Sequence, residues 1–361
     1  MSTRIFSIYN NKGGVGKTTL CFNTAAQYGE ENPKTQVLVI DMCPQANISQ
    51  YFLGGGEKGY ITNQSLQSQK SRRNIVGFMD WLMDGNSDFT SIKNSFKVKV
   101  SEHNKQISDN VYLIAGDSFL ESLSLALNYA VLSPANRYAW PEFMTAVKRL
   151  CELEYDRKIY QDMVVFIDCN PSFSIYTQMA LVSSNYLVVP MMADYSSLEG
   201  LKGIMTLLHG KYPSAASQRY ADKFVTFHQK IEEHHHKHKL QLPKFWEFIF
   251  NNYTTNQGVA KAYDFLKSDL CNFCYQQYEN SPELFSPTKD VISSRSEWEG
   301  RFLSSIKDFH TSGKVSASLG IPLDKLPNKE KYIMPNGEIV IVTKERYKDA
   351  REQVSKFVSR I

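Results

Sequence analysis

A doubly wound α/β domain, with a mostly parallel sheet flanked by helices, is the fold class this sequence predicts. Three observations carry it. A glycine-rich turn, Asn11-Lys12-Gly13-Gly14-Val15-Gly16-Lys17-Thr18-Thr19, lies between an apolar strand-like run, Arg4–Tyr9, and a helical stretch, Leu20–Ala26. Two further near-continuous apolar runs, Gln36–Asp41 and Met163–Asp168, each end in an aspartate. Strands buried on both faces of a parallel sheet read in that way. Helical patterns separate the apolar runs, which suits crossover connections.

A strand, a glycine turn and a helix start together make a phosphate site. Glycines let backbone N–H groups close around an anion, and the helix N-terminus adds a favourable dipole. Lys17 then reaches the β- and γ-phosphates, and the Thr18 hydroxyl holds Mg²⁺. The usual pattern has glycine five residues before Gly16, where this chain has Asn11, and a second lysine, Lys12, stands early in the turn. A flexible turn with two solvated lysines is the bland alternative, and the flanking strand and helix argue against it.

Lys12-Gly13-Gly14-Val15-Gly16-Lys17-Thr18 resembles the deviant Walker A box of the ParA/MinD ATPase superfamily. In that family the early lysine crosses a dimer interface to the phosphates held by the other subunit. The resemblance implies ATP and Mg²⁺ as cofactors and an ATP-dependent homodimer. It also implies nucleotide contacts from Lys12 through Thr19, and catalytic roles for Lys12, Lys17 and Asp41.

Length and composition set the frame. The 361 residues, 42% of them hydrophobic, suffice for one large α/β domain or two smaller ones. The expectation is one domain over residues 1–361, with insertions at about 54–75 and 211–245 and a basic helix at 343–361. A net charge of +4 creates no strong global field, although a local basic face remains possible. No apolar stretch of about 18 residues exists to cross a membrane. The first residues run straight into a strand, so no secretory signal is expected. Six cysteines over this length suggest no disulfide framework. A cytoplasmic, nucleoid-associated protein is expected.

In chain order, Gln36–Asp41 reads as the second strand, delivering a carboxylate at its end. The following Met42-Cys43-Pro44-Gln45-Ala46-Asn47 resembles the family's Asp-x-Asp-Pro-Gln-x-Asn motif, with Cys43 in place of the second acid. That acid lies beside the attacking water in the family. A neutral thiol replaces it poorly, so slow hydrolysis is expected. Residues 54–74 are polar and read as a loop, and Phe78–Met83 reads as a short helix. Val111–Asp117 is a third strand, and Leu120–Ala130 and Glu142–Glu154 are helices. Met163–Asp168 is the fourth strand and resembles a Walker B segment. Asp168 is expected to hold a water of the Mg²⁺ shell, with Thr18 and Asp41 as the other metal residues. A strand-end aspartate capping the next helix is the alternative. Asn185–Met191 is a fifth strand, followed by a helix start at Ser196–Leu201. Phe248–Tyr253 resembles the family's strand whose terminal Asn faces adenine, a role carried to Asn251.

The stretch 211–244 holds Arg219, Lys223, Lys230 and the run His234–Lys239. Three readings compete: a solvated basic loop, a contact to nucleic acid or phosphoprotein, and a metal site shared with Cys271-x-x-Cys274. A single Cys-x-x-Cys is weak support for the last. Val315–Leu323 resembles a small-residue stretch late in ParA-type chains. Lys331–Val342 suggests a hairpin turning at Pro335-Asn336-Gly337. From Thr343 to Ile361 an apolar face, with Ala350, Val354 and Phe357, opposes a basic one. Lys344, Lys348 and Arg351 on the basic face are candidate DNA contacts.

The expected function is that of a short ParA-type ATPase. It binds DNA non-specifically as an ATP dimer and positions or segregates DNA or another cargo with a ParB-like activator. A MinD-like membrane-surface regulator is the alternative, and it requires a free apolar face on the last helix. A metabolic enzyme on the same fold is a third class, for which no organic-substrate cluster is evident.

Overall fold

The computed structural model describes residues 2–85, 88, 89, 92, 95–132, 138–238, 240–251, 257–306, 310–327, 331–334, 337–342 and 344–361. The strands are β1 (Thr3–Ile8), β2 (Thr35–Met42), β3 (Val98–Lys99), β4 (Val111–Ile114), β5 (Asp162–Cys169), β6 (Tyr186–Met191), β7 (Lys244–Asn251) and β8 (Leu303–Ile306). They form one sheet in the order β3-β4-β2-β5-β1-β6-β7-β8. Every pairing is parallel except the short β3 against β4.

The apolar runs are near-continuous because both faces of the sheet are covered. On β2, Leu38 and Ile40 join one core layer with Val165 and Ile167 of β5. Their neighbours Val37 and Val39 join the other with Val164 and Phe166. The first layer is closed by α4 (Ile75–Met83), α5 (Phe119–Val131), α6 (Ala139–Leu153), α7 (Ile175–Ser183) and α8 (Tyr195–His209). The second is closed by α1 (Lys17–Glu31), α2 (Asn47–Phe52) and α14 (Lys344–Val358). The sequence reading found neither β3 nor β8. Each is short, at two and four residues, and lies at a sheet edge where burial imposes less pattern.

Residues 54–74 are not a loop. They include α3 (Gly56–Gln67), which buries Gly59, Asn63 and Leu66 and turns most of its other residues to solvent. Its polar composition reflects a narrow buried stripe rather than missing structure. Residues 211–245 likewise contain two helices, α9 (Ala215–Ala221) and α10 (Phe227–His238). Beyond β7 come α11 (Gln257–Asn280), α12 (Arg295–Phe302) and α13 (His310–Leu319). The expected hairpin forms from β9 (Lys331–Ile333) and β10 (Ile339–Ile341). Pro335 and Asn336 of its turn lie outside the described residues, and Gly337 has φ +82°.

The last helix is docked, not free. Ala350, Val354, Phe357 and Val358 are buried in the α1 layer. Beyond its end, Arg360 pairs at 2.7 Å with the fully buried Glu247 of β7, whose carboxyl is pushed up by burial. Separating such a pair leaves an uncompensated buried charge and costs about 3–5 kcal/mol.

The contact of α3 with α13 requires glycine on both sides. Gly320 has φ +61°, and a Cβ there would lie 2.4 Å from the carbonyl carbon of Gly54. A Cβ on Gly55 would lie 2.2 Å from the Gly320 nitrogen. Gly320→Ala combines left-handed strain with a backbone collision. It is expected to lower stability by about 2–4 kcal/mol. A shift of the urea midpoint worth less than about 1 kcal/mol would contradict that close approach.

Candidate functional site

The site forms where β1, β2 and β5 end side by side. The loop after β1 turns through Gly14 at φ +75° and Gly16 at φ +84°. Only glycine adopts both without penalty. No heavy atom beyond the chain neighbours lies within 4 Å of where a Cβ would stand on Gly13 or Gly14, so open space adjoins both glycines. Gly16 is the N-cap of α1 and, having no side chain, places none over the helix's first N–H groups. That leaves an anion cradle at a helix N-terminus.

Lys17 is buried, and its ammonium donates to the Asn10 carbonyl at 3.0 Å and the Lys12 carbonyl at 2.7 Å. Burial lowers its pKa, while nearby Asp168 favours the charged form. Lys12 itself forms an ion pair with Asp194 of the same chain. Asp194 also caps α8, accepting from the Ser197 N–H at 2.8 Å. A hollow of about 500 Å³ lies beside this pair, lined by Asn11, Lys12, Tyr195, Ser196, Glu199 and Gly200. The sequence reading stopped at Ser196 and missed Asp194. Its spacing of three residues to Ser197 is an N-cap signal.

The two strand-end aspartates are in-register partners across β2 and β5. Asp41 is fully buried and committed to its own loop. It accepts from the Cys43 N–H at 3.0 Å, the Ser49 N–H at 3.1 Å and the Ser49 hydroxyl at 2.6 Å. Asp168 is different, for neither carboxylate oxygen has a hydrogen bond of normal geometry. The Thr18 hydroxyl and Lys17 are near enough to favour its charged form. Burial, and then the charge of Asp41, nevertheless raise it to about 7. Burial raises Asp41 to about 6 against its three hydrogen bonds. An orphaned buried carboxylate beside a threonine hydroxyl and a second carboxylate fits a hard divalent cation. Asp168, Thr18 and Asp41 are the residues that would hold Mg²⁺ there, directly or through water. The helix-cap alternative for Asp168 fails, because Ser174 caps α7.

Cys43 follows on the loop after β2, half-buried, with its thiol pushed up to about 12 by burial and then by the charge of Asp41. It is a neutral group at this site. Asn251 is also brought to the loop. Its amide donates to the Val15 carbonyl at 3.1 Å, and its own carbonyl oxygen is buried without a partner.

The other candidates lie elsewhere. The histidine run belongs to α10 and packs: His234 stacks on Trp140 at 5.4 Å, and His235 bonds the Leu240 carbonyl. Cys271 and Cys274 are both buried in α11. Among the described residues no group of three or more His, Cys, Asp or Glu could hold a metal ion. On α14, Lys348 is 75% exposed and 3.7 Å from Glu352, and Arg351 is exposed. The Lys344 side chain lies outside the described residues.

Residues 3–212 match the family described as AAA domain. An uncharacterized protein of Pseudomonas putida is 28% identical over 217 residues, covering 56% of this chain and 61% of its own length. The chromosome partitioning protein ParA of Myxococcus xanthus is 27% identical over 199 residues, 55% of each chain. The chain thus spans less than two thirds of these relatives. Among solved structures, pNOB8 ParA superposes with a TM-score of 0.56 at 17% identity, covering 99% of this chain and 97% of that one. The same protein bound to nonspecific DNA gives 0.50 at 15% identity, with 99% of each covered.

The aspartate pair sets a pH dependence. Both folded values lie above the ordinary value of 3.8. The folded state therefore holds protons that the unfolded chain releases, and the pair's contribution to stability is fully present below about pH 4 and lost as pH rises through 6 to 7. Without divalent cation, Asp168→Asn is expected to raise the melting temperature at pH 8 by several degrees and at pH 5 by much less. Equal shifts at both pH values would refute the uncompensated carboxylate.

Proposed function

The chain belongs to the AAA-domain family as a ParA/MinD-type phosphate-loop ATPase, and on that premise we propose that it is a DNA-positioning ATPase of the ParA kind. It binds ATP with Mg²⁺, dimerises on the nucleotide, and then holds DNA without sequence preference. A ParB-like activator releases it, and the cargo is a plasmid, a chromosome or another body carried on the nucleoid in the cytoplasm. The observation that carries the reading is the convergence of the open glycine cradle, buried Lys17 and the Asp41–Asp168 pair.

In this reading the loop N–H groups and Lys17 hold the phosphates, Thr18 and Asp168 orient the metal ion, and Asn251 faces the base. Bound Mg²⁺ supplies charge neutralisation at the terminal phosphates. The relative bound to nonspecific DNA supports the DNA step, as do exposed Lys348 and Arg351. The membrane alternative needs the apolar face of α14, and that face is buried. No helix among the described residues is long and apolar enough to cross a membrane.

The deciding experiment is DNA binding with ATP, with ADP and without nucleotide. Binding is expected with ATP alone, at similar affinity for unrelated duplexes, and to weaken steeply with salt. Charge reversal of Lys344, Lys348 and Arg351 together should weaken it at every sequence by about tenfold or more. Vesicle binding in place of DNA binding would favour the membrane reading.

For Lys12 to reach a partner's phosphates, its pair with Asp194 must open. Lys12→Ala is expected to keep ATP affinity within about threefold and lose the ATP-dependent dimer in light scattering. Dimerisation like wild type would make Lys12 an ordinary surface lysine.

Cys43 governs the rate. With a neutral thiol where the family has an acid, the proposed enzyme binds ATP and turns it over slowly. Cys43→Asp should raise steady-state hydrolysis about tenfold or more. A wild-type rate near 1 per second, an ordinary enzyme rate, or no gain from the acid, would remove this explanation.

A further inference from the structure

Asn170 lies two residues beyond Asp168 on β5's outgoing chain. The β2/β5 register pairs Asp41 with Asp168 and Met42 with Cys169. The next residues on the two strands are Cys43 and Asn170, so they leave the sheet side by side at the end that carries Lys17 and the glycine cradle. Asn170 is half-exposed there.

Its side chain is aimed by a hydrogen-bond relay. Tyr176, fully buried on α7, directs its hydroxyl to the Glu121 carboxylate of α5 at 3.2 Å. A carboxylate only accepts, so the tyrosine hydroxyl donates to it and accepts from its other neighbours, with the Ser172 and Ser174 hydroxyls also within reach. Among them is the Asn170 amide nitrogen at 2.7 Å, which also donates to the Ser172 hydroxyl at 3.0 Å. The relay thus decides which end of the amide is which. The N–H₂ end is engaged by Tyr176 and Ser172, which leaves the carbonyl oxygen as the end that can accept from a ligand. A group that only accepts is what is needed to orient a water by one of its protons.

Resting on the ATPase reading above, we propose that the Asn170 carbonyl orients the attacking water in place of the acid that Cys43 does not supply. Tyr176 and Glu121 are the positioning residues behind it. In the hydrolysis, a water oxygen bonds to the terminal phosphorus, and the bridging P–O bond breaks with its electron pair leaving on ADP. The water's protons pass to the released phosphate and to solvent. An amide orients the water and takes no proton, so it gives a slow step, consistent with a long-lived ATP state.

The test uses the full chain and separates binding from turnover. Asn170→Ala is expected to lower single-turnover hydrolysis about tenfold or more. Affinity for ADP and for a non-hydrolysed ATP analogue should stay within about threefold of wild type, while affinity for ADP with aluminium fluoride falls with the rate. Tyr176→Phe, which keeps the ring, should shift rate and aluminium-fluoride affinity the same way by a smaller factor. In the Cys43→Asp background, Asn170→Ala should cost less than half as much on a logarithmic scale, because the acid then orients the water. A merely structural Asn170 would cost the same in both backgrounds and would lower the melting temperature. Wild-type hydrolysis and aluminium-fluoride binding in Asn170→Ala would overturn the assignment. Failure of wild type to bind any adenine nucleotide would instead overturn the ATPase reading on which it rests.

Discussion

The structure depends on one in-register pairing, that of β2 with β5. It runs unbroken from Thr35 against Asp162 to Met42 against Cys169. Every residue of β2 after Thr35 is buried, so neither strand can slip without turning core side chains outward. The consequence is chemical. Two aspartates are carried to the same level with water excluded, which is costly unless a cation or a proton is present. Asp41 is partly compensated by its own loop, whereas Asp168 is not. The site is built to be completed.

The phosphate loop depends on the same frame. Lys17 is held over the loop by two carbonyls of that loop, Asn10 and Lys12. Those carbonyls stand where an anion would compete for the same ammonium, so the lysine is already in place before phosphate arrives. Asn10, in turn, is fixed to the next strand through the Pro190 carbonyl at 2.8 Å. A loop tied on both sides loses little freedom on binding, which is how a rigid sheet converts packing into affinity.

The sequence was most legible where one residue type has one physical use. The loop glycines, the lysine just after them and the aspartates at the ends of apolar runs could each be placed from the chain alone. So could the main strands, since burial on both faces leaves an unmistakable apolar run. It was least legible where local composition hides tertiary burial. Residues 56–67 look like linker because only Gly59, Asn63 and Leu66 face inward. The histidine run looked like free charge or a metal site because nothing in it announces Trp140, against which His234 stacks. Asp194 carried a local cap signal, but its pairing with Lys12, 182 residues away, and that of Tyr176 with Glu121, 55 residues away, are encoded by no local pattern.

Cys43 can also be weighed as a matter of charge. An acid there would be a third carboxylate near Asp41 and Asp168, both of which already push the thiol's pKa upward. It would also face the phosphates of ATP in the proposed complex. Like charges at such range in a half-buried site oppose one another by a kcal/mol or more, roughly tenfold in affinity. A thiol held near 12 carries none of that charge at neutral pH. Replacing the acid therefore acts in two directions at once. It removes a group that could polarise water, and it removes repulsion that would loosen the nucleotide. Both effects lengthen the lifetime of a bound triphosphate. In the proposed DNA-positioning ATPase that lifetime is the variable an activator would act on.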